Sequence, residues 1–243
     1  MRKLILISLI ICALAPINRT FSASTSNAAD DSLSFSLNAD FVSRYLWRGL
    51  QYSPNPNIQP YASIAYKGLT FGAWASYGIS TPYAETDLYL SYAIGQFTIA
   101  VNDYYAASDD SLENYNYLNF KKSTTGHSLE GSITYAGPES FPISLTAATF
   151  FAGLDDNDGD GNNDYSTYFE VAYTATVSDI PLKLFVGGTP QKGLYSDNAN
   201  VVNIGVNAIK TLKISNSFEL PVFGSLVINP NSKDMFFVFG ITF

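Results

Sequence analysis

After Leu33 nearly the whole chain alternates with period two, apolar side chains on one phase and small polar ones on the other. Leu33, Phe35, Leu37, Ala39 and Phe41 interleave with Ser34, Ser36, Asn38 and Asp40. Leu88, Leu90, Tyr92 and Ile94 interleave with Asp87, Tyr89, Ser91 and Ala93, and the end repeats the habit in Met235, Phe237, Phe239, Ile241 and Phe243. Successive side chains of a strand point to opposite faces, so this pattern dictates strands with two unlike faces.

The polar face decides what those faces meet. A soluble sheet fills its solvent side with Lys, Glu, Asp and Arg. Here that side holds mostly Ser, Thr, Ala, Gly, Asn and Tyr, and charged residues are only 14% of the chain, against about 25% in ordinary soluble domains. Such a face suits a crowded, wet interior, while the apolar face suits lipid. Lipid satisfies no backbone hydrogen bonds, so the sheet must close without an edge. The expectation is an all-β transmembrane antiparallel up-and-down β-barrel; a secreted β-sandwich is the competing fold.

Connection lengths test the barrel independently. Short turns fall at Lys67-Gly68, Gly95-Gln96, Gly137 to Pro142, Ser178 to Pro181 and Lys213 to Ser217. Longer connections fall between them, at Gly49 to Asn57, Ile79 to Glu85, Ala106 to Gly126, Ala152 to Asp164, Pro190 to Asn200 and Asn229 to Asp234. Outer-membrane barrels alternate short periplasmic turns with long external loops, which gives twelve strands with both termini periplasmic. Tyr115 to Phe120 also alternates; as a strand it makes an odd thirteen, so it is placed in an external loop. Tyr45, Trp47, Tyr104 and Tyr105 are placed as an interface girdle near the outer rim.

The first residues read as an export signal. Arg2 and Lys3 precede an apolar run from Leu4 to Ala15, too short for a spanning helix, which needs about 20 residues. Residues 1–28 are expected to be removed, with the cut between 23 and 29, leaving 29–243 as the barrel. Loss of Arg2, Lys3 and Arg19 takes the formal charge from −8 to −11. Cys12, the single cysteine, leaves with the signal, which excludes a disulfide framework and a Cys-based zinc site. The acidic balance argues against a nucleic-acid partner.

Phe41-Val42-Ser43-Arg44-Tyr45-Leu46-Trp47-Arg48-Gly49 resembles the first-strand motif, roughly S-x-Y-x-x-R-G, of the TorF-type family of putative porins. The end, Phe237 to Phe243, resembles the terminal strand of outer-membrane proteins. The resemblance implies an outer-membrane barrel, a channel among the roles open to it, whose solute is generally unassigned. It also implies that the barrel-assembly machinery reads the last strand through Phe243. The Asp-rich stretch below is not part of the family pattern.

Candidate functional residues follow from the faces. Asp40, Arg44 and Arg48 share the polar phase of the first strand, opposite Phe41, Tyr45 and Trp47; Glu130, Glu170, Lys183 and Glu219 lie on polar phases too. Charge on the lipid side costs about 2–4 kcal/mol for Arg or Lys at mid-bilayer, so all seven are placed as pore-lining candidates. They serve either as a selectivity element or as salt-bridged braces. Lys210 follows the apolar phase and is placed to snorkel near the periplasmic end.

Asp156-Asn157-Asp158-Gly159-Asp160-Gly161-Asn162-Asn163-Asp164 sets carboxylates at alternate positions before glycine, as calcium loops do. Asn163 and Thr167 break the EF-hand pattern, so the choice is between a looser Ca²⁺ loop, with Asp156, Asp158, Asp160 and Asp164 as ligands, and a solvated acidic turn. His127, the only histidine, neighbours Ser128, but adjacent strand residues face opposite ways and form no nucleophile–base pair without a bulge. No enzyme is expected. The functional expectation is a porin-like channel for passive diffusion of small solutes. The alternative is a non-conducting surface barrel whose external loops bind calcium, polysaccharide or another cell.

Overall fold

The computed structural model describes residues 32–106, 116–122 and 124–243; the export segment lies outside them, as does Tyr115. Among the described residues fourteen strands are formed, in order β1 (Ser34–Val42), β2 (Tyr45–Trp47), β3 (Leu50–Ser53), β4 (Asn57–Tyr66), β5 (Leu69–Gly78), β6 (Ala84–Ile94), β7 (Phe97–Ala106), β8 (His127–Ala136), β9 (Ile143–Gly153), β10 (Thr167–Val177), β11 (Ile180–Thr189), β12 (Asn200–Lys213), β13 (Glu219–Asn229) and β14 (Asp234–Thr242). Twelve of them close into one antiparallel barrel in which each strand from β4 to β14 pairs with its sequence neighbours and β1 joins β4 to β14. The described part of residues 116–120 is turn and coil, which removes the thirteenth strand.

The period-two pattern becomes the inside and outside of this wall. Phe35, Leu37, Phe71, Leu90, Ile99, Val101, Phe169, Val171, Leu184, Val186, Phe237 and Phe239 project outward and are exposed around the circumference. Each alternate residue turns in: Ser91, Thr98, Asn102, Thr134, Thr146, Ser225 and Thr242 are buried on the other face. This outward-apolar arrangement inverts a soluble protein and exposes far more contiguous hydrocarbon than a soluble surface carries. The closing seam is short, with Asp40, Phe41 and Val42 opposite Thr242, Ile241 and Gly240. Mutual backbone bonds between Ala39 and Phe243, at 2.9 and 3.1 Å, extend it by one pair.

The remaining two strands are not part of the wall. The first strand ends at Val42, earlier than its alternation suggests, and β2–β3 form a separate two-stranded sheet. Arg48 and Gly49 connect them with φ of 49° and 80°, the paired left-handed conformations of a type I′ hairpin turn. Trp47 and Leu50 flank the turn. The hairpin folds inward: Tyr45, Leu46, Trp47 and Arg48 are all buried.

Candidate functional site

Strands β2 and β3 bring the first-strand motif into the bore, where its residues touch wall on nearly every side. Leu46 packs with Ala172 of β10, Phe185 of β11, Val227 of β13 and Phe236 and Val238 of β14, all inward. The opposite flank of the hairpin is aromatic. Tyr45 meets Trp74 of β5 with ring centroids 5.2 Å apart, and Trp47 meets Tyr104 of β7 at 5.5 Å and Phe150 of β9 at 6.4 Å. One insert therefore bridges an apolar sector and an aromatic sector of the same wall.

Arg48 at the turn holds the insert by charge. Its guanidinium forms a bidentate ion pair with Glu130 of β8, Nη2 to Oε1 at 3.1 Å and Nη1 to Oε2. Nη1 also donates to the Tyr195 hydroxyl at 2.6 Å. The same guanidinium lies over the rings of Trp47 at 4.3 Å and Tyr168 at 4.7 Å. Glu130 also accepts from Tyr104 at 3.0 Å and more loosely from Asn102 at 3.4 Å. A buried ion pair persists when further hydrogen bonds satisfy both partners, and here they do.

The tip is fixed by backbone. A Cβ on Gly49 would collide with the Val202 carbonyl oxygen of β12, and Asn229 Nδ2 donates to the Gly49 carbonyl at 3.1 Å. Only glycine permits both the φ and this close approach. Val202 is there because β12 carries a bulge opposite Gly187-Gly188, so that Val202 and Asn203 are both buried.

A second network adjoins the first. Lys183 of β11 pairs with Glu170 of β10 at 3.2 Å, the Tyr168 hydroxyl donates to Glu170 at 2.8 Å, and Asn203 donates to the Tyr168 oxygen at 2.8 Å. On β6, Glu85 accepts from Tyr45 at 3.3 Å and from Tyr83. Asp40 accepts from Thr242 across the seam at 2.6 Å.

Five of the seven pore-lining candidates thus face the interior as paired or hydrogen-bonded groups: Asp40, Arg48, Glu130, Glu170 and Lys183. Arg44 lies beyond β1, bonds Gln51 at 2.9 Å and sits 5.9 Å from the Phe236 ring. Glu219, at the short-turn end of β13, is exposed. Three placements change. Tyr45 and Trp47 form no rim girdle but pack in the bore beside Arg48, because the chain leaves the wall at Val42, and Tyr104, on the inward phase of β7 with Asn102, joins them there. Sequence reasoning missed Tyr168, which its shared phase with Glu170 could have found, and Tyr195, which comes from the β11–β12 connection, where no periodicity points to it.

The acidic loop is partly drawn together. Carboxylate oxygens of Asp156, Asp158 and Asp160 lie within 4.8 Å of one another. Asp156 is engaged by the amides of Gly159 and Gly161, both at 2.8 Å. Asp158 pairs with Lys192 at 3.0 Å; the ammonium, with the Asp160 amide, holds the Asp158 carboxyl below its ordinary range. Asp164 turns away to accept from the Asn157 backbone at 2.8 Å. Three of the four proposed Ca²⁺ ligands converge, and Lys192 supplies positive charge beside them.

His127 and Ser128 point apart. Ser128 donates to the Leu154 carbonyl at 2.9 Å, while the His127 ring is engaged with Asp103 and the Tyr117 carbonyl, so the two side chains form no nucleophile–base pair. No protein-family model matches the chain, and no curated protein matches it by sequence.

Proposed function

We propose that the protein is an outer-membrane barrel that serves as a porin-like channel for small solutes and is shut at rest by its own β2–β3 hairpin. Its apolar circumference meets lipid, its long connections face outward from the cell, and its N-terminal export segment is removed. The resemblance to the TorF-type porins belongs to this proposal. The observation that carries it is the hairpin's relation to the wall: β1, β4 and β14 close the barrel without it, yet it spans the bore from Trp74 to Phe236. A removable insert in a complete wall is the layout of a gate. Toward the short-turn end, Ser91, Thr98, Thr134 and Thr146 line the inside with small polar groups, as an aqueous passage requires.

A second reading has its own observation. Leu46 is fully buried among Phe185, Val227, Phe236 and Val238, as in a permanent core, which favours a closed surface barrel that acts through its external loops. Planar-bilayer recording separates the two. The intact chain is expected to show rare or no steps, and a chain with residues 45–52 replaced by a short Gly/Ser link is expected to show discrete steps. Silence from both, with the barrel folded, refutes the channel and leaves the surface scaffold.

A further inference from the structure

His127 presents an arrangement that neither the wall nor the bore requires. Phe97, Ile99 and Val101 of β7 point outward, and Asp103 and Tyr105 continue that phase. Tyr105 is register partner to His127, so all three lie on the outer face, at the long-loop end of β7 and β8. The ring is nevertheless 1% exposed. Its roof comes from the β7–β8 connection: Phe120 stacks on it with centroids 4.3 Å apart and planes at 19°, and Tyr117 meets it edge-on at 4.8 Å.

Both ring nitrogens face oxygens that only accept. Nδ1 lies 2.8 and 3.0 Å from the two Asp103 carboxylate oxygens, and Nε2 lies 2.6 Å from the Tyr117 carbonyl. Neutral imidazole has one N–H and one lone pair, so it would set that lone pair against one of these oxygens; imidazolium donates to both. The other groups around the ring are Tyr105 on β7, Tyr117 itself, and Lys122 and Tyr165, which line the same groove. Asp103 is the carboxylate bonded to the ring, and it offsets the ring's charge on a face where an isolated charge is costly.

We infer that His127 is a proton-operated clamp that docks the Tyr117–Phe120 segment onto the outer wall of the barrel. The doubly protonated ring ties β7 to the segment through Asp103 and the Tyr117 carbonyl. Loss of one proton breaks one tie and loosens the segment. Histidine is the side chain suited to such a change across the mildly acidic to neutral range. The clamp does not depend on whether the bore conducts.

Because His127 is the only histidine, ¹⁵N-histidine labelling of the intact protein reports on this ring alone. At pH 6 both nitrogens are expected to carry protons, and at pH 8.5 one is expected to be bare. A bare nitrogen at pH 6 overturns the inference. The exposed Lys121 and Lys122 beside the segment give a second readout by trypsin cleavage. At pH 6 His127→Gln is expected to be cut about tenfold or more faster than the native protein, the effect of losing a charge-assisted hydrogen bond. At pH 8.5 the two rates are expected to converge. A His127→Gln to native ratio that is the same at both pH values overturns the inference.

Discussion

The latch at the hairpin turn permits a quantitative test. Arg48→Met keeps most of the side chain's length and removes its charge, leaving Glu130 buried with Tyr104 and Asn102 as its remaining donors among the described residues. Stranding one partner of a buried ion pair costs about 3–5 kcal/mol. At about 1.4 kcal/mol per tenfold, hairpin docking should weaken by roughly two to four powers of ten. Loss of the stacking on Trp47 and Tyr168 adds to this, by about 0.5–2 kcal/mol in comparable settings. Adding Glu130→Gln removes the stranded charge, so the double variant should recover much of the loss. The assay is a double-mutant cycle on denaturant unfolding in detergent, with tryptophan emission followed in parallel because Trp47 sits on the hairpin and Trp74 against it. Arg48→Met should red-shift the emission. A single-variant loss below about 1 kcal/mol, or a double variant that loses the sum of both singles, would refute the latch, since contacting partners must couple.

Three further outcomes are expected. Gly49→Ala places a Cβ against the Val202 carbonyl in a left-handed backbone conformation; it should unseat the hairpin tip and raise channel activity, while the barrel's far-ultraviolet circular dichroism stays unchanged. Leu90→Lys puts a charge on the apolar outer face and should lower stability in lipid by about 2–4 kcal/mol, whereas Ser225→Lys, directed inward, should leave membrane insertion intact. Lys192→Ala frees Asp158 from its resident cation, so calorimetric titration should show tighter Ca²⁺ binding than in the native protein, and Asp160→Ala should abolish it. Lys192 holds the Asp158 carboxyl low, so in the native loop that ion pair persists at neutral pH and is lost as the carboxyl protonates in acid.

The barrel was legible in the sequence because each strand's two faces meet different surroundings, which forces period two on the chain, and because the two ends of the barrel demand different connection lengths. The hairpin was not. Tyr45 and Trp47 continue the alternation of Phe41, so the run to Arg48 looks like one long strand. The contrary sign was Leu46, an apolar residue on the phase that should face polar surroundings, followed by Gly49, the residue that a tight turn favours. The charges at Glu130, Glu170 and Lys183 were found from phase alone, but their partners were not, since Arg48 reaches Glu130 only because the chain leaves the wall. The inward positions of Tyr195 and Val202 were not legible for a related reason: a folded-in connection and a bulge both break the register that makes a pattern readable. His127 could be set aside as half of a catalytic pair from strand geometry. Its clamp could not be foreseen, because one of its partners is a backbone carbonyl, which has no sequence signature.

Trp47 and Trp74 are the only tryptophans and both lie inside the barrel, whereas lipid should touch only the outer face. Fluorescence quenching by brominated acyl chains in reconstituted vesicles therefore tests inside against outside directly. The native protein should be quenched weakly, and a Leu90→Trp variant strongly. Strong quenching of the native tryptophans, or none added by the outward one, would contradict a lipid-facing wall around a hairpin-filled bore.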